Sequence, residues 1–255
     1  MNELNEFYKL FNGSKNKHEF EKEIFKFICS YKNLDVSEAL KTFKYIKEGK
    51  YPTDYLPLKR WIESNYTDGS VHGMSIYMLD ILNSSSFACT NSIRNVCTQV
   101  KNNFKDINSI VDFGAGIGIT TIMLANTLKD KDIFYYDLYN KSFIESLINN
   151  YDLNVNNLTI IKLNEIVNVD CIITLEMLEH LKDPIQFVRE NDHYRYWVQT
   201  NAFSNVHVGH YPSFLYEGKE IPGRSFVRKF NKFMREFYDE IYRGWNSKPV
   251  IYRKK

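Results

Sequence analysis

Gly114, Gly116 and Gly118 stand at alternate positions directly after an apolar run, Ser109-Ile110-Val111-Asp112-Phe113. A strand that runs into such glycines builds a tight turn whose backbone can approach a ligand closely, because no Cβ stands in the way. The spacing is G-x-G-x-G. The dinucleotide fingerprint G-x-G-x-x-G would need its third glycine where Ile119 stands, so the pattern leans away from NAD. Asp112 points the same way: beside the turn, a carboxylate can hold a cationic or hydroxyl-bearing ligand but repels a pyrophosphate. Asp137 ends a second strand-like run, Asp132-Ile133-Phe134-Tyr135-Tyr136, and lies 21 residues beyond Gly116. At that spacing a strand-end carboxylate meets ribose hydroxyls in nucleotide sites.

A second group of residues suits proton transfer. The buried-strand pattern Val169-Asp170-Cys171-Ile172-Ile173-Thr174-Leu175 leads into Glu176-Met177-Leu178-Glu179-His180-Leu181, then Asp183-Pro184. A later polar loop carries His207 and His210. Ligands of open α/β sheets bind at the carboxyl ends of the strands, where both segments fall. Histidine ionises near working pH, so His207 and His210 are the leading candidates for a base toward an acceptor. Their competing role is to hydrogen-bond the loop into shape. Glu176, Glu179 and His180 share one face of a turn or helix, and a loop histidine could complete an oxygen and nitrogen site for a divalent ion.

The glycine turn, Asp137 and the segment EMLEHL with its following Asp-Pro together resemble the class I S-adenosylmethionine-dependent methyltransferase superfamily. The resemblance implies a Rossmann-like, mostly parallel seven-stranded sheet with a terminal antiparallel hairpin, and S-adenosylmethionine as cofactor. It places Asp112, Gly114, Gly116 and Gly118 around the cofactor and Asp137 on its ribose, with Glu176 facing it. Leu158 to Leu163 reads as the third strand, after which the family often has an acidic residue near the adenine. Here Asn164-Glu165 occupies that place, and Asn164 is the expected adenine contact through its amide. Segments like EMLEHL occur in relatives of the ubiquinone-pathway O-methyltransferases and in the small-RNA 2′-O-methyltransferases. In the latter, residues like Glu176, Glu179, His180 and a loop histidine hold a metal ion; other members with the same letters use none. A metal-free site is the expectation. The reaction implied is direct transfer of a methyl group from a sulfonium to a nucleophile held in line, with positioning and charge placement supplying most of the acceleration.

Those residues need a scaffold, and the hydrophobic periodicity describes one. From about residue 106 strands alternate with helices over 119–129, 142–150, 184–189 and 226–238, and a fifth strand covers Tyr194 to Thr200. Glu240–Arg243 and Lys248–Tyr252 read as a closing hairpin that turns at 244–247. Residues 1–105 read as an all-helical N-terminal extension, with one helix from Val36 to Lys47 started by Asp35 or Ser37 and another over 91–103. The extension either covers the cofactor, frames the acceptor or serves packing alone. The expected division is therefore 1–105 and 106–255.

At 255 residues and 44% hydrophobic composition the chain can bury one good core and an appendage. A net charge of +2 forces neither a nucleic-acid nor a membrane partner. Cys29, Cys89, Cys97 and Cys171 form no C-x-x-C pair and read as reduced thiols. The chain has neither an 18-residue apolar run nor the apolar core of a signal peptide, so a cytoplasmic protein without a membrane partner is expected. Arg224, Arg228, Lys229, Lys232 and Arg235 alternate with Phe226, Phe230 and Phe233, as on an amphipathic surface helix. The same cations would serve phosphate contacts, although Glu236, Asp239 and Glu240 dilute them. The reading is a methyltransferase acting on a hydroxyl, amine or thiol of a small molecule. A nucleic-acid methyltransferase and a non-catalytic cofactor-binding partner subunit are the alternatives.

Overall fold

The computed structural model describes residues 17–48, 78–79, 82, 92–138, 141–162, 169–204, 210–244 and 249–255. Among the described residues three helices precede the sheet: α1 (Lys17–Tyr31), α2 (Val36–Lys47) and α3 (Ser92–Asn103). The start of α2 is set as its sequence requires, with the Asp35 side chain accepting from the Glu38 N–H at 2.8 Å. Then β1 (Ser109–Phe113), α4 (Ile119–Thr127), β2 (Asp132–Tyr136), α5 (Lys141–Asn150), β3 (Leu158–Ile160) and β4 (Cys171–Leu175) alternate. A 3₁₀ turn, Leu178–His180, precedes α6 (Pro184–Glu190) and β5 (Tyr196–Thr200). The chain closes with β6 (Ser213–Tyr216), β7 (Lys219–Pro222), α7 (Gly223–Phe237), β8 (Tyr238–Arg243) and β9 (Val250–Lys254).

Seven strands form one sheet in the order β3-β2-β1-β4-β5-β9-β8. The pairings among β1 to β5 are parallel, and β9 lies antiparallel between β5 and β8. This is the mostly parallel seven-stranded sheet with a terminal antiparallel hairpin that the sequence leads one to expect. Strand order reverses between β1 and β4, so the chain diverges there and leaves a crevice at the carboxyl ends of the two strands.

Period-two alternation divides the strands between two faces. Ile110, Ile133, Cys171, Ile173, Val198 and Ile251 join a core with α4, α5 and residues of all three leading helices. Val111, Ile172, Trp197, Val250 and Tyr252 join a second core with Ile185 and Val188 of α6 and the Phe226, Phe230, Phe233 stripe of α7. The leading helices thus share an unbroken core with the sheet: Ile24, Ile28 and Phe43 are buried in the same cluster as Ile122 and Ile144. One element departs from the expectation. Residues 213–222, of which the sequence reading gives 213 and 214 to the end of a polar loop and 215–222 to no element, form the separate β6–β7 hairpin. Its turn is Glu217-Gly218, both at positive φ (51° and 74°), which matches the twist that two-residue hairpins favour. Among the described residues no helix is long and apolar enough to cross a membrane.

Candidate functional site

The glycine turn is built by the end of β1 bending back over β2. The Gly114 and Ala115 N–H groups both donate to the Tyr136 carbonyl, at 2.9 and 3.1 Å. All three glycines have positive φ, between 58° and 80°, a region L side chains rarely enter. Space is short as well: a Cβ on Gly114 would come within 2.4 Å of Met177 Cγ, and one on Gly118 within 2.3 Å of Ile144 Cδ1. The turn is thereby clamped between the end of β4 and the first turn of α5.

Asp137 sits half-buried at the end of β2, and its Oδ2 accepts from the Gly116 N–H at 2.9 Å. From β2 itself, the Tyr135 hydroxyl donates to the Gly116 carbonyl at 2.7 Å. The middle glycine is therefore gripped at both its N–H and its C=O from this strand and its end. Asp112 lies underneath, 2% exposed, with its Oδ2 accepting from the Thr121 hydroxyl at 2.6 Å. Burial pushes its carboxyl up to about 7; the Thr121 hydroxyl opposes the shift and the nearby Asp137 charge adds to it. The hydroxyl that Asp112 holds is thus the protein's own, and toward a ligand it acts from beneath the turn.

Across the crevice, the end of β4 turns sharply. Glu176 has φ 51°, an uncommon value for a residue with a Cβ, and its N–H donates to the Thr200 carbonyl of β5 at 2.8 Å. Glu179, in the 3₁₀ turn, is fully buried. Its Oε1 accepts from the Ala202 N–H at 3.0 Å, and its Oε2 has no hydrogen-bond partner among the described residues. Burial, together with the Glu176 charge, raises its carboxyl well above the usual carboxylate range. The His180 ring meets His210 edge-on with centroids 4.9 Å apart, and the Tyr211 N–H donates to the Glu179 carbonyl at 3.1 Å. The loop after β5 is thereby tied to the 3₁₀ turn. The tie continues along the β6–β7 hairpin, where Leu215 N–H donates to the Lys182 carbonyl at 3.1 Å and Lys182 pairs with Glu220 at 2.7 Å.

Of the residues singled out from sequence, Gly114, Gly116, Gly118, Asp112 and Asp137 gather at the β1 and β2 ends. Glu176, Glu179, His180 and His210 gather at the β4 end. Asn164 and His207 lie outside the described residues. Among the described residues no three His, Cys, Asp or Glu side chains are arranged to hold a metal ion. Sequence reasoning passed over Thr121, Tyr135, Met177 and Ala202, which hold the turn and the buried carboxyl from neighbouring elements. Only Thr121 carried a local signal, a hydroxyl in the first turn of α4 and so over the carboxylate of β1.

No protein-family model matches the sequence, and no curated protein does. Solved structures resemble the chain at low identity. The 16S rRNA methylase ArmA is 16% identical, over 79% of this chain and 97% of that one, with a TM-score of 0.43. The N-terminal domain of EvdMO1 with SAH bound is 10% identical, over 67% of this chain and 84% of that one, with a TM-score of 0.48. The small RNA methyltransferase HEN1 is 13% identical, over 64% of this chain and 25% of that one, with a TM-score of 0.46.

Proposed function

We propose that the chain is an S-adenosylmethionine-dependent methyltransferase whose acceptor is a small molecule presenting a hydroxyl, amine or thiol. The observation that carries the reading is the Asp137 carboxylate on the Gly116 N–H, with a second carboxyl, Asp112, buried beneath the same turn. Two acidic groups oppose a pyrophosphate and suit a ligand that brings cations and ribose hydroxyls. When bound, such a cofactor supplies a methyl group on a sulfonium, already a good leaving group. The chain's own part is then to hold and orient. Gly114 and Gly116 let the backbone approach, Asp137 takes the ribose hydroxyls, Asn164 the adenine edge, and Glu176 faces the cofactor from β4. His210, edge-on to His180 at the carboxyl edge, and His207 in the same loop are the groups assigned to proton removal from the acceptor.

The tie between the loop after β5, the β6–β7 hairpin and the 3₁₀ turn supports a walled acceptor space and hence a small acceptor. One observation favours a nucleic acid instead. Arg224, Arg228 and Lys232 stand at four-residue steps along α7, about 6 Å apart along the axis, and such a row suits backbone phosphates. Calorimetry with S-adenosylmethionine, its demethylated product and NAD tests the cofactor. Asp137→Ala is expected to weaken binding at least tenfold, since charge-assisted hydrogen bonds contribute about 1.5–3 kcal/mol. Tight NAD binding without response to S-adenosylmethionine overturns the reading. Transfer of a labelled methyl group to a metabolite pool, with RNA and DNA in parallel, identifies the acceptor class; binding without transfer to any of them supports a partner subunit.

A further inference from the structure

The helices ahead of the sheet bear on the segment that frames the ribose position, a role that rests on the cofactor reading of the glycine turn. Asp137 holds Gly116 from the end of β2. Seven residues further, Ile144 in the first turn of α5 fills the space beside Gly118, where even a Cβ would meet it at 2.3 Å. Asp137 and Ile144 are thus seated on two of the three glycines. Ile144's neighbours in the same helical turn are in contact with α1. The Tyr31 hydroxyl and Ser142 Oγ are 2.8 Å apart. The rings of Phe27 and Tyr31 both meet Phe143 edge-on, with centroids at 5.3 and 5.2 Å, and Phe27 also meets Tyr151 at 5.9 Å. Phe143 and Ile144 are both buried, the first among the α1 rings, the second against Gly118.

We propose that Phe27 and Tyr31 are positioning residues for the cofactor: α1 sets where the first turn of α5 lies, and through it the places of Gly118 and of the Asp137 carboxylate. The leading helices are then part of the cofactor site although their contacts reach it only through α5. A close-packed interface transmits such placement because its side chains have little room to relax. Mere packing would give a different result: the folded protein would bind ligand as well without those rings and simply be less stable.

A double-mutant cycle separates the two, with S-adenosylhomocysteine as the probe and calorimetry on the full chain. Phe27→Leu is expected to weaken binding about tenfold and Tyr31→Phe about threefold. In an Asp137→Asn background both losses are expected to shrink below about twofold, because groups that act through one contact are not additive. Folded variants that bind like the unaltered chain overturn the proposal, and so do losses of equal size with and without Asp137. Should Phe27→Leu fail to fold, Tyr31→Phe, which removes one hydroxyl, decides alone. Absence of binding by the unaltered chain is a separate result, which overturns the cofactor reading and this proposal with it.

Discussion

Asp112→Asn replaces one oxygen of a buried side chain with an NH₂ group and is expected to change the pH dependence of stability more than stability itself. The Asp112 carboxyl, pushed up to about 7 by burial, keeps in the folded state a proton that the unfolded chain releases near 3.8. Between those values the unfolded chain binds fewer protons than the native one, so stability falls as pH rises and the loss is complete above 7. About three pH units at 1.36 kcal/mol each give roughly 4 kcal/mol for the whole titration, of which more than half falls between pH 5 and 8. Asparagine keeps an oxygen for the Thr121 hydroxyl and removes the titration. Urea unfolding of both proteins at pH 5, 6, 7 and 8 should show the difference between them moving in the variant's favour by roughly 2–3 kcal/mol. At about 2–4 °C per kcal/mol, that is a relative gain in Tm of about 5–10 °C. Groups common to both proteins cancel in the difference. A difference constant with pH, or one that moves against the variant as pH rises, would refute the burial argument. A cationic ligand above the turn favours the ionised form, so the unaltered chain should release protons on binding near pH 7 and the variant should not.

Gly118→Ala is expected to lower stability by about 1–3 kcal/mol in thermal melts, because φ is 80° there and the new methyl meets Ile144. Ile144→Val should recover part of that loss. Phe226→Ala removes a ring buried with Phe203, Phe214 and Phe230 and should cost about 3–5 kcal/mol in denaturant unfolding. His210→Asn should lower turnover about a hundredfold while cofactor affinity stays within about twofold, as for a base that acts only on the acceptor. Activity that survives replacement of both His207 and His210 and also survives a chelator leaves positioning alone as the source of rate.

What was legible in the chain followed from rules that act over a few residues. Glycines after an apolar strand, Asp35 before an apolar helical stripe, Pro184 after Asp183, and the strand–helix alternation from residue 106 each carry their own stereochemistry. Observed elements start and stop close to the expected places; α6, for example, is capped by Asp183 and runs from Pro184 to Glu190. The misses arose where tertiary partners decide. Glu217 at φ 51° is an unusual choice for a hairpin turn, so β6 and β7 gave little local sign, and their pairing with each other and tie to Lys182 had to come from the fold. The segment EMLEHL shows the limit best. Helical spacing puts Glu176, Glu179 and His180 on one face, but the backbone breaks at Glu176 and completes only a 3₁₀ turn. Glu179 is turned inward to the Ala202 N–H, while His180 is left against His210. That separation follows from strand order. β5 lies beside β4, so its end offers both the carbonyl that takes the Glu176 N–H and the amide that takes the Glu179 carboxyl. A residue pattern names the groups available to a site, whereas the neighbouring strand decides which of them stays at the crevice and which becomes a buried strut.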